Sequence, residues 1–81
     1  MRILITGSRK GIGRYLAEKF LERGHIVFGC SRGECNLKHD LYHHSECDVS
    51  NERAVIKLVR TISKSHGGID VLIHNAGVAS M

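Results

Sequence analysis

The string Thr6-Gly7-Ser8-Arg9-Lys10-Gly11-Ile12-Gly13 sets three glycines between an apolar run and a helical pattern, and it restricts the fold more than any other stretch. Ahead of it, Ile3-Leu4-Ile5 is continuous rather than alternating, which predicts a strand over 2–6 buried on both faces of a parallel sheet. Behind it, Ile12, Tyr15, Leu16, Phe20 and Leu21 recur at helical spacing and predict one apolar face. Between two such elements each glycine has a steric task. Gly7 permits the tight turn, Gly11 lets a backbone approach a pyrophosphate, and Gly13 lets the helix pack closely on the sheet. The free N–H groups and dipole of the helix then face an anion. Ser8, Arg9, Lys10 and Ile12 belong to the same turn and are candidate contacts. Glycine-rich turns also arise for steric reasons alone, so the motif by itself leaves that alternative open.

The remaining pattern repeats strand and helix. Gly24 stands where the first helix would end, and His25–Cys30 with Ile26-Val27-Phe28 predicts the second strand. Residues 31–44 are polar and rich in histidine, and they read as a connection, with a brief strand over Glu46–Val49. Ser50 is the expected cap of a second helix carrying Val55, Leu58, Val59 and Ile62, which Gly67-Gly68 ends. Ile69–Ile73 predicts a last buried strand before Asn75-Ala76-Gly77. The order β-α-β-(loop)-β-α-β implies an α/β fold with right-handed crossovers. The expected architecture is a three-layer, Rossmann-type half-domain over residues 1–81, with a four-stranded parallel sheet in the order 3-2-1-4.

Composition narrows the partners without choosing one. A formal charge of +4 with six neutral histidines favours anions: phosphorylated cofactors, nucleic acid or anionic membranes. No apolar run approaches the roughly 20 residues needed to span a bilayer, so no membrane role is expected. Three cysteines without an export signal suit reduced thiols and a cytoplasmic setting. Cys35, His39, His43, His44 and Cys47 are close in sequence but match no common zinc spacing, so no metal site is expected.

Three motifs in order carry a family resemblance. TGSRKGIG resembles the T-G-x-x-x-G-x-G fingerprint of the short-chain dehydrogenase/reductase family. Cys47-Asp48-Val49-Ser50 resembles the family's strand-end segment, and His74-Asn75-Ala76-Gly77 is similar to its N-N-A-G segment, with His74 replacing the first Asn. The resemblance implies that Asp48 accepts a hydrogen bond from an adenine amino group and that Val49 packs on the ring. It also implies that Asn75 steadies the sheet while Ala76 and Gly77 line the adenosine side of the cleft. The plainer alternatives are a helix-flanking Asp48 and an ordinary turn at Asn75–Gly77.

An NAD-binding site of this kind carries an acidic residue at the end of the second strand, about 20 residues past the glycines. Here Ser31 and then Arg32 stand at that place, and Lys10 precedes the second glycine. Lys10 and Arg32 match the two basic positions of the family's NADP-preferring members, so NADP(H) is the expected cofactor and NAD(H) the disfavoured one. Both could instead be solvated surface cations.

The resemblance further implies an oxidoreductase whose catalytic Ser and Tyr-x-x-x-Lys pair lie in a second half of the fold. Tyr15-Leu16-Ala17-Glu18-Lys19 has that spacing but sits on the first helix, so no residue of this chain is expected to be catalytic. The chain is therefore expected to be a truncated, cofactor-binding portion that does not catalyse alone. The alternative is a non-catalytic nucleotide-binding or oligomerisation module, or a gene remnant. A nucleic-acid-binding basic face is the weakest reading. The last strand, near Val71–Ile73, would present an open apolar edge, for which a homo-oligomer is expected.

Overall fold

The computed structural model describes residues 1–6, 11–33 and 35–74. Its elements run β1 (Arg2–Thr6), α1 (Gly11–Glu22), β2 (Ile26–Ser31), β3 (Tyr42–Glu46), α2 (Glu52–His66) and β4 (Val71–His74). The four strands form one parallel sheet in the order β3-β2-β1-β4, as the pattern predicted. Central β1 has Ile3 and Ile5 at 0% exposure and Leu4 at 1%, which accounts for the unbroken apolar run. Each such side chain contributes about 1.5–3 kcal/mol when fully buried.

Alternate residues of the sheet feed two separate apolar clusters. On one face Ile3, Ile5, Val27 and Tyr42 pack with Ala17 and Leu21 of α1. On the other, Leu4, Phe28 and Cys30 pack with Ile62 of α2. Helix, sheet and helix therefore make the three expected layers. Backbone clasps join β1 to the approach of β4: Arg2 N–H donates to the Asp70 carboxylate and Asp70 N–H to the Arg2 carbonyl, both at 2.8 Å.

Four sequence expectations shift. The third strand lies at Tyr42–Glu46, beginning in the stretch read as connection and four residues before the expected start at Glu46, because Val27–Ser31 of β2 supplies its ladder. Its side chains are held from both sides, with Tyr42 buried on the α1 face and His43 stacked on Phe28 at 5.4 Å on the other. The cap of α2 is Asn51, whose side chain accepts from Ala54 N–H at 3.2 Å, and not Ser50. The buried stripe of α1 is Gly13, Ala17 and Leu21, whereas Ile12 and Tyr15 are exposed. Small residues let the helix sit close to the sheet, with Leu16 and Phe20 packed partly buried beside them as expected. The last strand spans Val71–His74, two residues after the expected start at Ile69, which packs against the α2-side cluster. At the far end of α2, Gly67 adopts φ 87°, and its N–H closes on Ser63 O at 3.0 Å. A residue with a Cβ would be strained there.

Candidate cofactor site at the carboxyl edge of the sheet

In a parallel sheet all strands end at the same edge, so Thr6, Ser31, Glu46 and His74 close β1 to β4 along one line. Thr6 and His74 are in contact there, Oγ1 to Nδ1 at 3.3 Å. Open α/β sheets bind ligands in the crevice outside this edge. Helix α1 starts from the same edge at Gly11, where φ is 68°, a left-handed conformation that disfavours other residues. Among the described residues nothing lies within 4 Å of where a Gly11 Cβ would stand, so the backbone is open to close approach. The first turn of α1 carries no acidic residue, which leaves the positive end of its dipole without a carboxylate. Ile12 is exposed beside it, and Gly13 is buried against the sheet.

At the end of β2, Ser31 is half-buried and Arg32 holds its side chain 80% exposed. Arg32 Nε stands 3.8 Å from Asp48 Oδ1, so the two segments singled out by motif lie side by side. Asp48 accepts from Ser50 Oγ at 2.7 Å and from Ser50 N–H at 2.9 Å. These bonds from Ser50, with the Arg32 charge nearby, hold the Asp48 carboxyl below the ordinary carboxylate range. Val49 stands in the wall of an apolar groove with Leu4, Cys30, Leu58, Leu72 and His74. The structure thus brings Ser31, Arg32, Asp48 and Val49 together, near the edge from which Gly11, Ile12 and Gly13 depart. Gly7, Ser8, Arg9, Lys10, Asn75, Ala76 and Gly77 lie outside the described residues.

Two neighbouring features carried no motif. Cys30 lies beneath the groove, and burial, together with the adjacent Cys47, pushes its thiol up to about 12. On the other face, His44 Nε2 is 2.9 Å from Gly33 O and 3.1 Å from Ser31 Oγ, while its Nδ1 meets the Tyr42 hydroxyl at 2.9 Å. Once His44 is known to sit on a strand beside Ser31, these contacts follow. The sequence pattern alone reads it as part of a connection.

The residues considered for metal binding do not converge. His43 faces α2 against Phe28 and His66, whereas His44 faces the α1 side with Tyr42. Among the described residues, no three His, Cys, Asp or Glu side chains are grouped to hold an ion. Tyr15 and Lys19 lie on the outer side of α1, with Lys19 Nζ 5.4 Å from the Tyr15 ring centre. That is a surface contact one helical turn apart. No helix among the described residues is long and apolar enough to cross a membrane.

Comparison with known proteins finds relatives in sequence and in fold. An NADPH-dependent pterin aldehyde reductase of Arabidopsis thaliana is 35% identical over 83 residues, covering 93% of this chain and 34% of that protein. The ligand-free aldohexose dehydrogenase of Thermoplasma acidophilum superposes with a TM-score of 0.85 at 36% identity, over 91% of this chain and 28% of that one. A structure of ElxO with NADPH bound gives a TM-score of 0.83 at 30% identity, over 91% of this chain and 34% of its own. The chain thus spans about a third of the length of such relatives. The profile of the family described as short chain dehydrogenase matches residues 1–81 throughout. With its sheet order and that match in agreement, the chain belongs to the short-chain dehydrogenase family.

Proposed function

We propose that this chain is the dinucleotide-binding portion of an oxidoreductase that prefers NADP(H) to NAD(H). The observation that carries the reading is the end of β2, where Ser31 and a largely exposed Arg32 occupy the place at which a carboxylate would bind a ribose 2′-hydroxyl. A cation there favours a 2′-phosphate, with Lys10 proposed as a second basic contact. The pyrophosphate would lie against the turn from Gly7 to Gly13, through Ser8, Arg9 and the open backbone at Gly11. The adenine would lie over Val49 with its amino group toward Asp48, and Asn75, Ala76 and Gly77 would complete that side. The NADPH dependence named for the pterin aldehyde reductase and the NADPH bound to ElxO are consistent with this preference in relatives.

The cofactor supplies the hydride. These residues bind and orient it, and the proton-transfer groups of the family have no counterpart among them, since Tyr15 is held on the outer side of α1. Catalysis by these residues alone is therefore not part of the proposal. A charge-assisted hydrogen bond contributes about 1.5–3 kcal/mol, so Arg32→Ala should weaken NADPH binding by about 10- to 150-fold. NADH binding should stay nearly constant. Equal weakening of both, or no change in either, would remove Arg32 from the site.

The outer edge of β4 is open among the described residues, and Leu72 is 59% exposed beside it. We propose that this edge pairs with a second copy of the chain.

A further inference from the structure

We propose that His44 is a positioning residue for cofactor choice, fixing the turn Ser31-Arg32-Gly33 in the form that discriminates the ribose 2′-phosphate. The inference rests on the NADP(H) reading above and adds a residue to it from the opposite strand. His44 lies on β3 in register with Gly29, which puts no side chain on that face of β2. The ring therefore has room to reach forward along β2 to the turn. A carbonyl oxygen only accepts, so the 2.9 Å contact with Gly33 O requires Nε2 to carry the proton. Ser31 Oγ donates to the same carbonyl at 2.9 Å, which leaves its oxygen to receive Nε2–H at 3.1 Å. In the neutral ring Nδ1 is then an acceptor, and the Tyr42 hydroxyl faces it at 2.9 Å.

The far end of this chain of contacts is buried. Tyr42 is 8% exposed in the cluster beneath α1, and its ring stacks on His44 with centres 6.0 Å apart. The turn is also tied on its backbone, where Cys47 N–H donates to Ser31 O at 2.7 Å. Arg32 stands between two residues that His44 holds, with its own side chain extended into solvent beside Asp48. Removing the ring takes away the contact that holds both Gly33 O and Ser31 Oγ to β3 and leaves the turn only its Cys47 tie and its internal Ser31–Gly33 bond, so the guanidinium then samples more positions. The loss falls on the 2′-phosphate, which only NADP(H) carries, and spares the adenine and pyrophosphate contacts.

The test compares NADP+ and NAD+ binding by calorimetry in the unmodified chain, His44→Leu and His44→Gln. Circular dichroism establishes that each variant is folded. His44→Leu should lower the NADP+ over NAD+ preference about 3- to 10-fold, with NAD+ affinity nearly unchanged. His44→Gln keeps an N–H donor near the Nε2 position and should restore most of the preference. Equal weakening of both dinucleotides, or an unaltered preference, contradicts the inference and leaves the NADP(H) reading standing. Failure of the unmodified chain to prefer NADP+ contradicts that reading itself, and the inference falls with it. A second measurement needs no variant: nitrogen NMR should report an Nε2-protonated His44 whose ring signals shift more with NADP+ than with NAD+. An identical response to the two overturns the proposal.

Discussion

Cys30 on β2 and Arg32 just past its end stand two residues apart and have opposite environments. Cys30 is 1% exposed, and burial holds its thiol near 12 against an ordinary value of 9.0. At neutral pH it is a protonated, inert core group. Iodoacetamide at pH 8 should therefore modify Cys35 and Cys47, both partly exposed, well before Cys30, as read by peptide mass spectrometry. Rapid labelling of Cys30 in the folded chain would contradict its placement. The raised value also sets a pH dependence. The unfolded chain loses this proton first, so the contribution of Cys30 to stability is complete below about pH 9 and declines as the pH climbs toward 12. Arg32 shows the reverse case, a charge kept in water and available to a ligand. The role proposed for Arg32 was legible because charge and position in a motif are properties of single residues. The role proposed for His44 was not, because it depends on which strand stands beside which.

At the scale of elements, legibility followed burial. β1 carries a pattern that needs no partner to be read, and α1 is legible as a helix although its buried face is not. β3 holds Tyr42-His43-His44-Ser45-Glu46, with one strongly apolar residue in five, and its strand character comes from pairing with β2. An edge strand of this composition resists unwanted pairing on its outer side, which is the reason its sequence looks like a loop. The start of α2 shows a similar ambiguity. Ser50 and Asn51 are both good caps, but the Ser50 hydroxyl is spent on Asp48, and Asn51 takes the cap. Asn51→Ala should therefore lower stability by about 1 kcal/mol, or ~4–8 °C in Tm, measured by thermal melting. Ser50→Ala should instead leave the helix cap intact and relax the Asp48 carboxyl toward its ordinary range. A larger loss of stability from Ser50→Ala than from Asn51→Ala would reverse the assignment.

For the whole molecule, the parallel order β3-β2-β1-β4 sets the ends of all four strands along one edge. Residues 31–32 and 47–48 are far apart in sequence and meet there because β2 and β3 point the same way. The sheet also leaves the β4 edge and Leu72 uncovered among the described residues. Sedimentation should show concentration-dependent self-association that Leu72→Lys weakens, and a monomer at every concentration would rule out pairing at this edge. The central claim is cofactor binding with a preference set by charge, and calorimetric titration of the chain with NADP(H) and NAD(H) at physiological salt tests it most directly. Saturable binding that favours the 2′-phosphorylated dinucleotide by about tenfold or more is the expected result. Equal affinity for the two, or binding of neither, would contradict it.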